Sequence, residues 1–142
     1  MRHMKTANDR PTVVLADDHP GLRESISRLL APTCEVLATV NNGRKAVDAV
    51  LRLSPDIAVL DISMPELDGF AAAREMRQNW CNTKIVFLTV HDDEDYVSAA
   101  LETGVHGYVL KSFMNSDLVN AIETALAGRV FVSSHSIEAS SS

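Results

Sequence analysis

The sequence predicts an α/β fold, a flavodoxin-like doubly wound parallel sheet of five strands with helices on both faces. Short apolar segments rich in β-branched residues alternate about five times with segments whose apolar residues recur at helical spacing. The connections between strands are too long for hairpins, so each one crosses over the sheet and returns in parallel. A small sheet with a single edge for ligands favours the doubly wound strand order.

Composition places the chain among ordinary globular proteins. Its 142 residues suffice for one domain, and 46% are hydrophobic and 23% charged. No apolar run approaches the roughly 18 residues of a membrane span and no signal peptide is recognised, so we expect a cytoplasmic protein without a membrane partner. The net charge of −6, without a Lys/Arg cluster, argues against nucleic-acid binding. Cys34 and Cys81 are predicted to be free thiols.

Five apolar segments are predicted to be strands. Four of them are almost wholly apolar, which suits strands covered on both faces, and the second alternates loosely and is rich in Val, Leu and Thr. In chain order the segments are 12–16, 34–40, 57–60, 84–88 and 107–110. Residues 1–11, which precede them, are polar and aperiodic and are predicted to be a disordered leader.

Each strand is followed by a segment with a helical apolar stripe. The stripes are Leu22-Ile26-Leu29-Leu30, Ala46-Val47-Val50-Leu51, Phe70-Ala73-Met76-Trp80, Val97-Ala100-Leu101 and Leu118-Val119-Ile122-Leu126. Prolines end the first two helices, and glycines end the last two, which are predicted over about 93–103 and 115–127. Phe70, Ala73, Met76 and Trp80 are predicted to pack in the core.

Asp61 is the first charged residue after the buried strand 57–60. Pro65 disfavours a helix directly after it, so the next helix is expected to begin near Asp68-Gly69, and Asp61 is not needed as its cap. Asp61 therefore lies at the carboxyl edge of the sheet, where parallel sheets bind ligands. The ends of three other strands bring further polar residues to this edge: Asp17, Asp18, Thr89 and Lys111.

Each of these polar residues alone has an ordinary explanation as a helix cap, a β-former or a surface charge. Together they indicate a site, because carboxylates that lie close together raise one another's pKa unless a cation lies among them. Mg²⁺ suits such a site, since it binds one or two carboxylates, several waters and a phosphate oxygen. Asp61 is then placed as a nucleophile that forms an acyl phosphate. Mg²⁺ and the Lys111 ammonium would neutralise the phosphoryl oxygens, and the Thr89 hydroxyl would donate to one of them.

Four motifs carry a resemblance to a known family. They are Leu15-Ala16-Asp17-Asp18-His19-Pro20, Asp-x-x-Met-Pro-x-x-Asp-Gly from Asp61, Thr89 after the fourth strand, and Tyr108-Val109-Leu110-Lys111. With these motifs, residues 12–128 resemble the receiver domain of two-component response regulators. The Ala-Asp-Asp-His-Pro opening and the Leu-Lys-Ser after the fifth strand are most similar to LuxR/NarL-type transcription regulators.

The resemblance implies a phosphorylation site and a metal site. It implies that Asp61 accepts a phosphoryl group from a sensor histidine kinase. It also implies Mg²⁺ held by Asp18, Asp61 and the backbone carbonyl of Ser63, with Asp17 reaching the ion mostly through water.

The resemblance further implies a conformational switch made by Thr89 and Tyr108. Phosphorylation would draw the Thr89 hydroxyl to the new group, turn the Tyr108 ring inward, and remodel the face made by helix four, strand five and helix five. Homodimerisation is the usual consequence in the family. A helix-turn-helix output domain follows a linker in the LuxR/NarL type; residues 129–142 are predicted to be that linker or a tail, and we expect a fragment without its DNA-binding half.

Several positions differ between receivers and are expected to tune the phosphorylated state. Many receivers have Pro where this chain has Ser112. Val90 is bulkier than the Ala or Gly common after the switch threonine and is predicted to screen the phosphoryl group partly. Ser63 and His91 lie two residues beyond the nucleophile and the switch threonine, although His91 is equally well explained as an exposed loop residue.

Two other functions remain open from the sequence. A phosphatase of the haloacid dehalogenase type also uses an Asp nucleophile and Mg²⁺, but it needs a second Asp where Ser63 stands, and it needs a lid. A receiver-like interaction module without phosphorylation is disfavoured by the intact set of site residues. We expect no enzyme that turns over a free substrate, only a protein that assists its own phosphorylation and dephosphorylation.

Overall fold

Parallel strands in the order β2-β1-β3-β4-β5-β6 form the centre of the molecule. The computed structural model describes residues 10–79 and 81–133. Each adjacent strand pair is parallel, which confirms the predicted fold class. The strands are β1 (Thr12–Ala16), β2 (Glu35–Val40), β3 (Ile57–Asp61), β4 (Lys84–Thr89), β5 (Gly107–Leu110) and β6 (Phe131–Val132).

Within residues 10–79 and 81–133, five α-helices connect the strands. They are α1 (Pro20–Leu30), α2 (Gly43–Leu53), α3 (Gly69–Gln78), α4 (Glu94–Glu102) and α5 (Met114–Leu126), and a 3₁₀ turn, Lys111–Phe113, precedes α5. The side chains of Asn42, Asp68 and Asp93 cap α2, α3 and α4 by accepting backbone N–H groups. Because Asp68 caps α3, Asp61 is free of that role, as the sequence predicted.

The core lies in two layers, one on each face of the sheet. Alternate residues of a strand point to opposite faces, so Ala58 and Leu60 belong to one apolar cluster and Ile57 and Val59 to the other. All of β3 is buried. The strand that ends in Asp61 is therefore held on both sides by packed side chains, which limits the positions open to its carboxylate.

In the part of the chain that the structure describes, the five predicted strands are joined by a sixth, short strand. Residues Phe131–Val132 form β6, parallel to β5, within the segment 129–142 that was predicted to be a linker or tail. This short strand was not predicted, because two residues are too few to show periodicity. β6 forms by pairing with the outer edge of β5, a strand that is distant from it in the sequence.

Some predictions fall outside the described residues. These are the disordered leader over residues 1–9, the core position of Trp80 and the Ser-rich end from residue 134. Cys34, which is buried, and Cys81, which is half-buried, are both free thiols, as predicted. Burial raises the pKa of the Cys34 thiol. Within the described ranges, no helix is long and apolar enough to cross a membrane.

Candidate functional site at the carboxyl edge of the sheet

Asp61 lies near the middle of the sheet edge, since β3 is flanked by β1 and β4. Asp61 is only 5% exposed, and its Oδ1 accepts a hydrogen bond from the Ser63 N–H (3.2 Å). The N-terminus of α3 passes close behind it. A Cβ at Gly69 would lie 2.5 Å from the Asp61 carbonyl oxygen, so only glycine fits this approach. The backbone on both sides of Asp61 is thus closely packed.

Lys111 brings together carboxylates from two strands. Its Nζ lies 3.1 Å from Oδ2 of Asp61 and 2.9 Å from Oδ2 of Asp17, and all three side chains are largely or fully buried. β1, β3 and β5 deliver these groups to one point, as the sequence predicted from their positions after strands. The arrangement places one ammonium between two buried carboxylates.

Burial governs the protonation of these groups. Burial raises the pKa of the Asp61 carboxyl. The Lys111 ammonium lowers this pKa, and the charge of Asp17 raises it further. Burial alone would lower the pKa of Lys111. The hydrogen bond to Asp17 and the charge of Asp61 outweigh it, so the pKa of Lys111 is raised. Lys111 is therefore charged at neutral pH, and Asp61 is less acidic than an exposed aspartate.

Asp18 and His19 extend the acidic site toward solvent. Nδ1 of His19 lies 3.1 Å from Oδ1 of Asp18 and 3.4 Å from Oδ1 of Asp17. Ligand atoms of these three residues lie within 4.8 Å of one another, so they form a group that could bind a metal ion. His19 was not predicted as a site residue, although it stands in the motif that follows β1.

The residues predicted to bind the metal do not all lie close together in the structure. Asp61 lies outside the group formed by Asp17, Asp18 and His19. The reason is the position of Lys111, whose ammonium occupies the space between Asp17 and Asp61. Oδ2 of Asp17 is buried and, within the described part of the chain, has no hydrogen-bond partner apart from this ion pair. A carboxylate oxygen of this kind suits a hard cation such as Mg²⁺.

Thr89 and Tyr108 meet at the backbone of His91. The buried Oγ1 of Thr89 accepts a hydrogen bond from the His91 N–H (3.1 Å), and the Tyr108 hydroxyl donates to the His91 carbonyl (2.6 Å). Tyr108 is fully buried, and this burial raises the pKa of its phenol. The two predicted switch residues therefore share one loop residue.

The side chain of His91 links this loop to the rest of the site. Its ring stacks on Tyr96 of α4, with centroids 3.9 Å apart, and its Nε2 lies 3.3 Å from Oγ of Ser63. His91 is thus more than the exposed loop residue that the sequence left open. The available signal was its position two residues after the switch threonine. Val90, by contrast, is 70% exposed at the rim.

Arg23 of α1 also contributes to the site and was not predicted. Its Nη1 donates a hydrogen bond to the Asp17 carbonyl (2.6 Å), which helps to fix the loop after β1. No sequence signal identified it, because an arginine on an amphipathic helix is ordinarily a surface residue.

Comparison with protein-family models supplies the identification. Residues 13–123 match the response regulator receiver domain. The chain belongs to this family. The receiver domain is similar to the transcriptional regulatory protein DegU of Brevibacillus brevis, with 37% identity over 122 residues that cover 84% of the chain and 52% of DegU.

Two further relatives of this receiver domain confirm the LuxR/NarL resemblance. The nitrate/nitrite response regulator NarL of Escherichia coli K12 is 34% identical over 130 residues, 89% of the chain and 60% of NarL. A LuxR-family two-component response regulator from Aurantimonas sp. SI85-9A1 has a crystal structure that matches with a TM-score of 0.82 and 35% identity, covering 87% of this chain and 89% of the other. The chain spans about half to three fifths of the length of the two curated relatives.

Proposed function

We propose that this receiver domain is a phosphorylation-activated signalling switch in which Asp61 accepts a phosphoryl group from a sensor histidine kinase. One observation carries the proposal. A nearly buried carboxylate, Asp61, lies in contact with the Lys111 ammonium at the edge where the Asp17 and Thr89 side chains also lie. This set provides a nucleophile and groups that stabilise negative charge.

In the proposed reaction, a carboxylate oxygen of Asp61 attacks the phosphorus of the kinase's phosphohistidine. The new O–P bond forms as the P–N bond breaks, and the departing imidazole keeps the electron pair and takes a proton. The Ser63 N–H holds the other carboxylate oxygen in place. The Lys111 ammonium and the Thr89 hydroxyl then bind the phosphoryl oxygens.

Mg²⁺ is the proposed cofactor. Asp17, Asp18, Asp61 and the backbone carbonyl of Ser63 would hold it, and when bound it would supply positive charge that offsets the phosphoryl oxygens. The carboxylates of Asp17 and Asp61 support this assignment, because both contact the Lys111 ammonium, which neutralises only one of the two charges. The proposal includes no role for His19 as a ligand, since Mg²⁺ prefers oxygen.

The proposed output is a change at the face made by α4, β5 and α5. Thr89 and Tyr108 both hold the loop that begins α4, so a shift of the Thr89 hydroxyl would reach Tyr108 through His91. We propose that the whole protein acts in the cytoplasm, as a homodimer when activated, and regulates transcription through a C-terminal DNA-binding domain. The similarity to DegU, a transcriptional regulatory protein, and to NarL, a response regulator, supports the role in transcription.

Incubation with phosphoramidate and Mg²⁺ tests the proposal. Mass spectrometry should show the addition of one phosphoryl group, lost in Asp61→Asn, retained in the matched surface variant Asp48→Asn, and lost again when EDTA is present from the start. A mass that never changes would favour an interaction module. Sustained hydrolysis of a free phosphoester would favour a phosphatase and contradict the proposal that the chain is not an enzyme.

A further inference from the structure

The chain leaves α5 and returns to the sheet at the outer edge of β5. The Phe131 N–H donates to the His106 carbonyl (3.0 Å), and the Ser133 N–H donates to the Tyr108 carbonyl (2.9 Å). These bonds attach the segment after α5 to the strand that carries Tyr108. The connection out of the domain is therefore part of the sheet at this point.

The buried side chain of Ser133 fixes this attachment. Its Oγ accepts a hydrogen bond from the Leu110 N–H (3.1 Å) and donates one to Oδ2 of Asp117 (2.9 Å). A single hydroxyl, used as donor and acceptor, thus joins β5 to the first turn of α5. We call Ser133, the Leu110 N–H, the Asp117 carboxylate and the Tyr108 carbonyl the Ser133 clamp.

The Ser133 clamp adjoins the residues of the phosphorylation site. Leu110 is the register partner of Thr89 in the β4–β5 ladder, and it directly precedes Lys111. The Lys111 ammonium in turn contacts Asp61 and Asp17. A phosphoryl group on Asp61 would compete for this ammonium. Lys111 and the backbone that carries it would then have to readjust beside the clamp.

The simplest explanation of the clamp is purely local. The Leu110 N–H is buried at the edge of a strand and needs an acceptor, which Ser133 provides. That explanation makes the clamp independent of Asp61. It does not explain why Ser133 bonds to the Tyr108 carbonyl, which belongs to a switch residue, and to the Leu110 N–H, which directly precedes Lys111.

We propose that the Ser133 clamp is energetically coupled to Asp61. The clamp stabilises the arrangement in which Lys111 pairs with both carboxylates, and phosphorylation of Asp61 loosens it. The segment that leaves α5 through β6 is then an output of the switch, in addition to the α4–β5–α5 face. This inference rests on the proposed function, and its tests are chosen to separate the two.

Hydrogen exchange measures the clamp directly. The probe is beryllofluoride, BeF₃⁻, with Mg²⁺, a reversible mimic of the phosphoryl group, added to the full 142-residue chain. The amides of Phe131 and Ser133 should exchange at least about three-fold faster when the mimic is bound. Amides in the middle of β1, far from the clamp, serve as the internal reference.

Coupling is reciprocal, so opening the clamp must change the affinity for the mimic by a similar factor. Ser133→Ala removes both side-chain bonds and should bind BeF₃⁻ at least about three-fold more tightly than the unaltered chain in calorimetric titration. Ser27→Ala, a half-buried serine of α1 and outside the α4–β5–α5 face, is the matched control and should leave the affinity unchanged. Asp117→Asn weakens one bond and should shift the affinity in the same direction.

The outcomes separate the two proposals. If BeF₃⁻ does not bind the unaltered chain, the proposed function fails and the coupling with it. If the mimic binds but the Ser133 amide exchanges no faster, or Ser133→Ala binds it equally or more weakly, the coupling is wrong and the proposed function stands. Urea unfolding checks that Ser133→Ala is folded, and Asp117→Asn replaces it if it is not.

Discussion

At the scale of single residues, the buried negative charge of Asp61 lowers the stability of the folded protein. Asp61 has a raised pKa because burial disfavours its ionised form and Asp17 adds a second negative charge. The Lys111 ammonium offsets this only in part. The carboxylate that the proposed chemistry needs as a nucleophile is therefore held at a cost to stability.

Removing the Asp61 charge should make the protein more stable at neutral pH. A carboxyl whose folded pKa lies above its unfolded value loses stability as the pH rises through the folded pKa. Asp61→Asn should thus raise the free energy of unfolding at pH 7 by more than the roughly 0.5 kcal/mol scatter of surface substitutions. The gain should shrink as the pH falls toward the unfolded value of about 3.9.

Urea denaturation at several pH values measures this effect. Asp48→Asn on the exposed face of α2 is the control and should change the free energy of unfolding little. A lower stability of Asp61→Asn at pH 7 would show that the pairing with Lys111 outweighs the cost of burial, contrary to the prediction.

Lys111 should be energetically coupled to Asp61. Lys111→Met leaves two buried carboxylates without their cation, which should lower the free energy of unfolding by about 3 kcal/mol. In an Asp61→Asn background the same substitution should cost less, because only Asp17 then loses its partner. A double-mutant cycle in urea measures the difference. Additive effects of the two substitutions would contradict the pairing seen in the structure.

At the scale of elements, the start of α3 determines where Asp61 stands. Gly69→Ala would place a methyl group 2.5 Å from the Asp61 carbonyl oxygen and 2.8 Å from Cα of Ile62. The strand end would have to move, so we expect a loss of about 1–3 kcal/mol in stability and slower phosphorylation by phosphoramidate.

Gly21→Ala is a matched control for Gly69→Ala. Gly21 lies in the first turn of α1, and a Cβ there would meet nothing within 4 Å. Alanine should therefore keep or raise the stability, by up to about 1 kcal/mol, because it is a better helix former. Equal effects of the two substitutions would mean that the close approach at Gly69 is unimportant.

Element prediction from the sequence succeeded where a local pattern existed. The apolar runs and helical stripes identified β1 to β5 and α1 to α5, because most of those side chains are buried. Leu51, Leu101 and Leu126 are exceptions, since each is 40% exposed. β6 was missed, since its two residues carry no period and its stability comes from β5 and Ser133.

The placement of Asp17, Asp61, Thr89 and Lys111 followed from one rule, that parallel strands end at the same edge. Ser63 and Tyr108 were implied only by the family resemblance.

Other parts of the site could not be predicted because they depend on loop conformation. The stacking of His91 on Tyr96 and its contact with Ser63 join residues from two loops and a helix. The turn of Asp18 toward His19 is likewise a matter of local backbone geometry. Spacing along the chain specifies none of these three contacts.

At the scale of the whole molecule, a histidine limits stability in acid. Nδ1 of His106 is buried without a hydrogen-bond partner among the described residues. Burial and the nearby charges of Lys84 and Arg77 lower the pKa of His106. The unfolded chain therefore binds a proton near pH 6.5 that the folded protein does not, and stability falls as the pH decreases below about 6.5.

Replacing this histidine should reduce the acid sensitivity. The free energy of unfolding of His106→Gln should decrease less between pH 7.5 and 5.5 than that of the unaltered chain, as measured in urea. His19→Gln, whose imidazole is largely exposed, should not have this effect. Parallel pH profiles of His106→Gln and the unaltered chain would rule out His106 as the cause.

The end of the sheet opposite the site carries a free cysteine, Cys81, that can be labelled for spectroscopy. Cys81 is half-buried just before β4, whereas Cys34 is buried with a raised thiol pKa. A maleimide dye at limiting concentration should attach to Cys81 in preference to Cys34. β4 has six residues, so the fluorophore would stand roughly 20 Å from the Thr89 end of the strand. Energy transfer or anisotropy could then follow pairing of two copies without an engineered attachment point and without touching the chemistry.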